Sequence, residues 1–299
     1  MPTPAPGFRS GFACFVGRPN AGKSTLTNAL TGQKVAITSS RPQTTRHAVR
    51  GIVHRDDAQL VLVDTPGLHK PRTLLGQRLN DLVRETYAGV DLICFCVTAD
   101  DKVGPGDRFI ATELANVTTP VIAVLTKTDL AGKQQIGEQL LALDGLGDWA
   151  DIVPGSAVAD TQVGLLADLL VARLPEGPAL YPDGELTDEP EQVLVAEFIR
   201  EAALEGVRDE LPHSLAVTIE EMTPREGRAL LDVYATLYVE RDSQKAIVLG
   251  TGGARLRGVG TVARRQIEAL LGTQVFLDLR VKVAKDWQRD PKQLKRLGF

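Results

Sequence analysis

The sequence has no long apolar segment and no recognisable leader. Its longest apolar runs are Leu60–Val63, Leu92–Val97 and Val121–Leu125. All are far shorter than the roughly 20 residues that a membrane-spanning helix needs. The first residues, MPTPAPGF, are rich in proline and lack the charged and apolar regions of a signal peptide. We therefore expect no membrane span and a short disordered tail over residues 1–10.

Cysteine is also scarce, since the chain has only three. Cys14, Cys94 and Cys96 fall inside apolar, strand-like runs, where small thiols ordinarily pack. An odd number of cysteines without a regular framework is typical of a protein from the reducing cytoplasm. Cys94 and Cys96 could alternatively form a metal or redox pair, an interpretation that their apolar surroundings disfavour.

The net charge of −4 conceals an uneven distribution along the chain. Residues 181–244 carry 5 Lys/Arg against 16 Asp/Glu, whereas residues 245–299 carry 12 against 4. A basic terminal segment on an acidic protein suggests a polyanionic partner. A solvated, basic helix face would give the same count, so charge alone leaves both interpretations open.

The first half of the chain alternates short β-branched runs with longer helix-like stretches. The predicted strands are Phe12–Val16, Val49–His54, Gln59–Asp64, Asp91–Thr98, Pro120–Thr126 and Asp151–Val153. This alternation predicts mostly parallel strands joined by crossover helices, which is an α/β fold. Runs such as LICFCV and VIAVL lack alternating polarity, as expected for strands that are covered on both faces.

The pattern changes after a segment rich in Pro, Gly and acidic residues, Leu174–Pro190. The predicted elements that follow are a helix at Glu191–Glu210, strands at Ser214–Glu221 and Ala229–Glu240, helices at Ser243–Leu249 and Ala254–Leu271, and a strand at Thr273–Val283. The order is α-β-β-α-α-β. We therefore expect a domain at residues 11–175, a linker at 176–190 and an α+β domain at 191–299 that ends in a basic tail.

A phosphate-binding motif lies directly after the first strand and opens a helix. Gly17–Ser24, GRPNAGKS, fits the pattern G-x-x-x-x-G-K-[ST] in the strand–turn–helix context that this motif requires. Backbone N–H groups of such a loop face phosphates, and the helix N-terminus adds its positive dipole end. Lys23 is expected to reach the β- and γ-phosphates, and Ser24 to place its hydroxyl on Mg²⁺.

Two further stretches are expected to complete the metal site. Asp64 ends a strand about 40 residues after the phosphate loop and begins DTPG, so its carboxylate can hold Mg²⁺. Thr44 and Thr45 lie in the polar loop TSSRPQTTRH and are candidates to close over the γ-phosphate. A merely solvated loop remains the alternative for these two threonines.

The choice of base is predicted from LTKTDL and GSA, which follow two later strands. Asp129 can accept hydrogen bonds from both N1–H and N2–H of guanine, a pair that adenine does not offer. The backbone N–H of Ala157 can donate to guanine O6. We therefore expect a guanine nucleotide.

These motifs together resemble the Era family, bacterial GTPases of the translation-factor-related class that carry a C-terminal type II KH domain. The resemblance covers nearly everything from Gly11 to Trp287 and implies a P-loop NTPase, with a Ras-like G domain, followed by the KH domain. One motif departs from the family pattern, because Thr126 stands where Asn is usual. Threonine lacks the amide that contacts the base and holds the phosphate loop, so we expect weaker nucleotide binding with guanine specificity retained.

The resemblance assigns nucleotide contacts to the G motifs. The expected nucleotide-binding residues are Gly17, Arg18, Pro19, Asn20, Ala21, Gly22, Lys23, Ser24, Thr25, Asp64, Thr65, Pro66, Gly67, Leu68, Thr126, Lys127, Thr128, Asp129, Ser156 and Ala157. The expected Mg²⁺ ligands are Ser24, Thr45 and Asp64. The residues expected to act on the phosphate itself are Asn20, Lys23, Thr45 and Gly67.

Within the resemblance, Gly250–Gly253 is the GxxG loop of the KH domain, beside a groove for about four nucleotides. The residues expected to bind RNA are Lys245, Gly250, Thr251, Gly252, Gly253, Arg255, Arg257, Arg264 and Arg265. The family usually has lysine at the position of Thr251, so one phosphate contact is expected to be missing.

The function implied by the resemblance is that of a GTPase which binds the 3′ end of 16S ribosomal RNA and acts in rRNA processing and assembly of the 30S subunit. Era-like proteins are cytoplasmic monomers that also associate peripherally with the inner face of the cell membrane, a property that nothing in the composition indicates. Two alternative functions compete with this interpretation. A tRNA-modification or tandem-domain GTPase is disfavoured by the single phosphate loop, whereas a non-hydrolysing GTP-binding RNA-binding protein remains open.

The residue after DTPG bears on hydrolysis. Many small GTPases place a water-orienting glutamine there, and this chain has Leu68. We expect the leucine side chain to turn away from the γ-phosphate. In related GTPases an asparagine at the position of Asn20 helps to hold K⁺ beside the phosphates, so K⁺ is a possible second cation. Arg18 is not expected to be an arginine finger.

Overall fold

The structure of the protein is a computed structural model that describes residues 7–39, 44–205 and 211–299. Three predicted features lie partly outside these residues: the start of the tail (1–6), the middle of the polar loop (40–43) and the end of the helix predicted at Glu191–Glu210. The described residues form two compact units. The first contains 7–38, 45–70 and 79–188, and the second contains 39, 44, 71–78, 189–205 and 211–299.

The first unit is built on a six-stranded sheet with the order β2-β3-β1-β4-β5-β6. The strands are β1 (Arg9–Gly17), β2 (Val49–His54), β3 (Ala58–Asp64), β4 (Leu92–Thr98), β5 (Val121–Thr126) and β6 (Asp151–Pro154). β2 runs antiparallel to β3, and every other pair is parallel. The predicted mostly parallel α/β fold is therefore confirmed, and the antiparallel β2–β3 pair is its one exception.

Both faces of this sheet are covered, as the apolar strands predicted. The helices of this part of the chain are α1 (Lys23–Thr31), α2 (Leu74–Ala88), α3 (Pro105–Leu114), α4 (Lys133–Asp144) and α5 (Val163–Arg173). Successive side chains of β4 enter opposite cores: Cys94 and Cys96 pack on one side of the sheet, Ile93 and Phe95 on the other. All three cysteines are free and buried, and burial raises the pKa of the Cys96 thiol to about 12.

The first strand begins earlier than the sequence predicted. β1 starts at Arg9, where the backbone N–H groups of Arg9 and Ser10 donate to the carbonyls of Asp57 and Pro175. The expectation of a disordered tail to residue 10 is therefore wrong for Arg9 and Ser10. These residues are ordered because they hydrogen-bond to chain that lies far away in sequence.

The segment predicted as a linker is held along the edge of the first unit. Buried Gln59 accepts hydrogen bonds from the N–H groups of Leu180 and Tyr181, at 2.6 and 2.8 Å, and donates to the Tyr181 carbonyl at 2.9 Å. The N–H of Ile52, on the edge strand β2, donates to the Leu186 carbonyl at 2.9 Å. The predicted linker up to residue 188 therefore belongs structurally to the first unit.

The second unit has the predicted order α-β-β-α-α-β with two short helices added. Its elements are α6 (Glu191–Leu204), α7 (Leu211–Ser214), β7 (Ala216–Pro224), β8 (Leu230–Val239), α8 (Asp242–Leu249), α9 (Ala254–Leu271), β9 (Gln274–Val283) and α10 (Pro291–Arg296). The sheet order is β7-β8-β9, with β7 antiparallel and β9 parallel to β8. This is the expected α+β arrangement.

The C-terminal residues complete the core of this unit. Trp287 is fully buried, donates from Nε1 to the Ser214 carbonyl at 3.0 Å, and stacks on Phe299 with ring centroids 5.6 Å apart. Leu294 of α10 is also fully buried. The basic tail is therefore packed on one side and presents its charged side chains on the other. Across the described residues, no helix combines the length and the apolarity that a membrane crossing requires.

Candidate functional site

The phosphate loop connects the end of β1 at Gly17 to the start of α1 at Lys23. The Ala21 N–H donates to the Arg18 carbonyl, which closes a turn inside the loop, and Gly22 precedes the helix with a left-handed φ of 83°. The unpaired N–H groups of the first turn of α1 therefore border the loop. This is the strand–loop–helix geometry that binds phosphate groups.

Lys23 is a buried cation inside this loop. Its Nζ donates to the carbonyls of Gly17 and Arg18 at 3.3 and 3.0 Å, and its side chain is almost completely enclosed. Burial lowers the pKa of Lys23, and the nearby carboxylate of Asp64 opposes that effect. A buried ammonium group without a full counter-charge favours the binding of an anion.

Three oxygen-bearing side chains meet next to Lys23. Ser24 Oγ donates to Asp64 Oδ2 at 2.6 Å, Thr45 Oγ1 donates to the same oxygen at 3.2 Å, and the two hydroxyls are 3.0 Å apart. Burial raises the pKa of Asp64 to about 6, although the Ser24 hydrogen bond lowers it. The Oδ1 atom is buried and makes no hydrogen bond within the described residues.

This cluster fits a small divalent cation. Mg²⁺ prefers oxygen ligands and commonly combines one or two carboxylates with phosphate oxygens. The unpaired Oδ1 atom of Asp64 would accept the ion or one of its waters. Thr44, the other candidate, belongs to the second unit, where its carbonyl accepts a hydrogen bond from the buried Arg200. The Thr45 hydroxyl, by contrast, lies within hydrogen-bond distance of Ser24 Oγ and Asp64 Oδ2.

The DTPG segment lies directly against the phosphate loop. A Cβ on Gly67 would come within 2.5 Å of the Pro19 nitrogen, so only glycine permits this approach. Leu68 is 1% exposed, packs in the core with Val16 and Val83, and donates from its N–H to the Gly17 carbonyl at 3.1 Å. The leucine side chain therefore points into the core, as expected, and only backbone groups remain at this position.

Arg18 is directed away from the phosphate loop. Its Nε donates to Asp107 Oδ1 at 2.8 Å, and its Nη2 is 3.2 Å from Asp101 Oδ2. Asp107 is fully buried in the first turn of α3 and also accepts a hydrogen bond from the Gly104 N–H. The guanidinium is thus occupied by two carboxylates, in agreement with the expectation that Arg18 is not an arginine finger.

The base motifs enclose a small cavity of about 170 Å³ beside the phosphate loop. Thr126, Lys127, Asp129, Ser156 and Ala157 line it together with Gly22 and Thr25. Asp129 Oδ1 accepts a hydrogen bond from Ser156 Oγ at 2.5 Å, and the Ser156 hydroxyl in turn accepts one from the Ala159 N–H at 3.0 Å. The carboxylate that would select guanine is therefore held by the loop after β6.

Two exposed apolar residues that line this cavity, Leu130 and Val158, were not among the predicted site residues. They are 63% and 80% exposed. Each directly follows a base motif in the chain, and that position was the only signal that could have identified them.

Thr126 stands where asparagine is usual, and it was expected to lose the contact to the base and the contact to the phosphate loop. In the structure it makes the second of these contacts. Its hydroxyl donates to the Ala21 carbonyl of the phosphate loop at 2.8 Å, with the Val97 carbonyl of β4 at 3.2 Å as a second acceptor. The expectation that threonine fails to hold the phosphate loop is therefore wrong. A hydroxyl at the end of β5 is long enough to reach the loop.

In the second unit, a groove of about 950 Å³ lies between α9 and the edge strand β9. The GxxG loop closes one end of it: Gly250, Gly252 and Gly253 have φ of 68°, 55° and 77°, values that disfavour other residues. Phe276 contributes an aromatic ring that is 42% exposed. Phe276 was not among the predicted RNA-binding residues, although an aromatic residue facing outward on an alternating strand is a usable signal.

Only some of the five basic side chains that were predicted to bind RNA line the groove. Of these, Arg257 and Arg264 line the groove within the described residues, and Arg257 Nη1 donates to the Gly252 carbonyl at 2.9 Å. Arg255 instead turns to the end of α6 and donates to the carbonyls of Ala203 and Glu205 at 3.2 and 2.7 Å. Lys245 lies on α8 and Arg265 on α9, and neither lines the groove, whereas Thr251 is exposed within the loop.

Comparisons with known proteins find relatives for both parts of the chain. A family model described as 50S ribosome-binding GTPase matches residues 12–127, and a KH-domain model matches residues 210–288. GTPase Era of Streptomyces coelicolor is 71% identical over 301 residues, covering 97% of this chain and 95% of its own length. GTPase Era of Mycobacterium tuberculosis is 68% identical over 297 residues, covering 98% and 99%.

Two solved structures are similar over almost the whole chain. One is Era in complex with MgGDPNP and nucleotides 1506–1542 of 16S ribosomal RNA, with a TM-score of 0.94, 34% identity, and coverage of 97% of this chain and 99% of that one. The other is an Aquifex aeolicus Era variant bound to GDP and AlF₄⁻, with a TM-score of 0.93, 34% identity and the same coverage.

Proposed function

This chain belongs to the Era family of GTPases, and we propose on that premise that it is a GTP-hydrolysing switch that binds the 3′ end of 16S ribosomal RNA. It is a GTP hydrolase that uses GTP, GDP and Mg²⁺, and it has an RNA-binding KH domain. One observation carries the proposal. The same chain contains a phosphate site built from Lys23, Ser24 and Asp64 and a glycine-closed groove bordered by Arg257 and Arg264.

The phosphate site supplies the electrostatic stabilisation that phosphoryl transfer requires. Charge spreads over the oxygens of the transferred group in the transition state, and fixed positive groups stabilise it. The Lys23 ammonium donates hydrogen bonds to two loop carbonyls. When a nucleotide is bound, it would donate to the β- and γ-phosphates instead. Ser24, Thr45 and Asp64 would hold Mg²⁺, which neutralises charge on phosphate oxygens when it is bound.

Orientation of the attacking water does not involve a side chain at Leu68, because that side chain is in the core. Backbone groups of Thr45 and Gly67 would orient the water instead. Asn20, in the middle of the phosphate loop, would hold K⁺ near the place where an arginine finger supplies its charge in other GTPases. Because no side chain at position 68 orients the water, basal turnover is slow.

The groove of the second unit is the proposed RNA site. Glycines at the GxxG loop allow a nucleic-acid backbone to approach closely, and the groove takes about four nucleotides. Arg257 and Arg264 contact phosphates from its wall, and Lys245 and Arg265 add longer-range attraction. Arg255 contributes by holding the end of α6 rather than by contacting RNA.

The proposed cellular role is assembly of the small ribosomal subunit. The RNA partner is the 3′ end of 16S rRNA, the larger partner is the 30S subunit, and the process is rRNA processing and 30S biogenesis. The protein acts as a monomer in the cytoplasm, with peripheral association with the inner face of the cell membrane. The proposed G domain begins with β1 at Arg9 and extends to residue 188, beyond the predicted bounds of 11–175, and the proposed KH domain covers residues 191–299.

Single-turnover hydrolysis tests the proposal. Purified protein in slight excess over GTP, with Mg²⁺, is followed for phosphate release with and without an RNA that carries the 16S 3′ end. We expect slow release that depends on Mg²⁺ and is abolished by Lys23→Ala, together with RNA binding that is stronger with a non-hydrolysable GTP analogue than with GDP. GTP binding without any phosphate release, with or without RNA, would instead indicate a non-hydrolysing RNA-binding protein.

A further inference from the structure

We propose that the Thr126 hydroxyl is a positioning group that holds the phosphate loop on the sheet, and that this role leaves N7 of the bound guanine without a hydrogen bond from residue 126. The inference rests on the proposed binding of guanine nucleotides and adds a specificity feature to it. Threonine at this position retains one of two tasks that the usual asparagine performs, and gives up the other.

The Thr126 hydroxyl lies within hydrogen-bond distance of two backbone carbonyls. Thr126 is the last residue of β5 and is 2% exposed. Its Oγ1 lies 2.8 Å from the Ala21 carbonyl in the phosphate loop and 3.2 Å from the Val97 carbonyl in the adjacent strand β4. Both acceptors are backbone oxygens of buried residues. The hydroxyl therefore connects the phosphate loop to two central strands of the sheet.

Threonine and asparagine differ in the number of hydrogens that their side chains can donate. A threonine hydroxyl has one hydrogen to donate, whereas an asparagine amide has two. The hydroxyl hydrogen is already shared between two carbonyls. Turning it toward a base would leave the Ala21 carbonyl, next to the phosphate-binding backbone, without its donor, and an unpaired buried carbonyl is unfavourable. An asparagine could donate one N–H to the loop and the other to a base.

The cavity beside Thr126 offers partners to one edge of guanine only. Asp129 and Ala157 line the same cavity as Thr126. In the proposed site, the Asp129 carboxylate would accept hydrogen bonds from N1–H and N2–H of guanine, and the Ala157 N–H would donate to O6. N7 is an acceptor and needs a donor. The lone pairs of the Thr126 oxygen cannot serve it, because acceptors do not hydrogen-bond to each other. Guanine recognition in this protein thus depends on the opposite edge of the base.

Packing supports the first role independently of hydrogen bonding. A Cβ on Gly22 would lie 3.5 Å from both Cβ and Oγ1 of Thr126, so the threonine side chain packs beside the residue that precedes α1. Loss of the hydroxyl should therefore release the loop while the methyl group keeps the packing. Thr126→Val makes this change with almost no change in shape, and Thr126→Ser keeps the hydroxyl.

The experiment measures the affinity for GDP and for 7-deaza-GDP, in which N7 is replaced by a C–H group, together with the rate of GDP dissociation. The wild-type chain should bind both nucleotides equally, whereas Thr126→Asn should favour GDP by roughly threefold to tenfold, the effect of one neutral hydrogen bond. Thr126→Val should release GDP roughly threefold to tenfold faster than wild type, and Thr126→Ser should release it at the wild-type rate.

The outcomes separate this inference from the proposed function. If the wild-type chain binds GDP tightly but 7-deaza-GDP at least threefold more weakly, a donor at N7 exists and the inference is overturned. If Thr126→Val releases GDP at the wild-type rate, the hydroxyl does not hold the loop. If GDP fails to bind at all, the proposed function falls and the inference falls with it. Equal unfolding temperatures of the nucleotide-free variants exclude a general loss of structure.

Discussion

At the scale of single residues, guanine selection depends on Asp129. Its carboxylate is held by Ser156 at the rim of the base cavity, so it is oriented before the base arrives. Asp129→Asn should shift the preference from GDP toward XDP, because an amide N–H can donate to the oxygen that xanthine carries in place of the guanine amino group. Competition binding with GDP, XDP and ADP measures this. Asp144→Asn, an exposed change on α4, is the control, and an unchanged GDP preference in Asp129→Asn would contradict the assignment.

Asn20 provides a second test at this scale. The backbone of Asn20 has a left-handed φ of 64°, so an alanine variant would add strain as well as remove the amide. Asn20→Gly removes the side chain without adding strain at this φ and is the better variant. We expect wild-type hydrolysis to be faster in KCl than in NaCl at equal ionic strength, and Asn20→Gly to remove that difference. Equal wild-type rates in both salts would remove the role of K⁺ and leave RNA as the activator.

Leu68 should behave as a core residue, not as part of the reaction. Its side chain is almost fully buried among Val16, Val83 and their neighbours. Leu68→Ala should lower the free energy of unfolding by about 2–5 kcal/mol through cavity formation, while the hydrolysis rate of the folded variant falls only modestly. Denaturant unfolding and single-turnover rates measure the two effects. A rate that falls by orders of magnitude with unchanged stability would reverse this assignment.

At the scale of the element, the GxxG loop determines RNA binding. The loop needs left-handed backbone at Gly252 and Gly253, and its open surface admits the nucleic-acid backbone. The double change Gly252→Asp, Gly253→Asp should abolish RNA binding, because it obstructs that approach, strains the turn and adds repulsive charge. GDP affinity should not change. Gly258→Asp, on α9 with open space around it, adds charge outside the loop and should weaken binding far less.

At the scale of the whole molecule, RNA binding should require the second unit and should weaken with salt. Each neutralised phosphate contributes a slope of about −0.7 in log K against log salt for a single strand. A fragment of residues 1–190 keeps the segment that Gln59 holds and should bind GDP but not RNA. Fluorescence anisotropy over a range of KCl concentrations compares it with the full chain. RNA binding by the fragment equal to that of the full chain would refute the KH assignment.

The sequence by itself determined the parts of this protein that depend on neighbouring residues. The phosphate loop, the DTPG segment, the TKTD motif and the GxxG loop each lie within a few residues, so their chemistry is visible in the chain. The strand at Val49–His54 and the helix at Ala254–Leu271 have the predicted bounds, because apolar periodicity is a local signal. The antiparallel direction of β2 was not visible, since apolar periodicity does not distinguish the two directions of pairing.

The tertiary structure decided which partner each polar side chain has. Arg18 pairs with Asp107, 89 residues away, and Thr126 donates to Ala21, 105 residues away. Arg255 turns to the end of α6, 50 residues earlier in the chain, although its charge and position resembled those of an RNA contact. A side chain with several possible acceptors bonds to the one that packing brings within about 3 Å, and those distances are set only when sheets and helices have assembled.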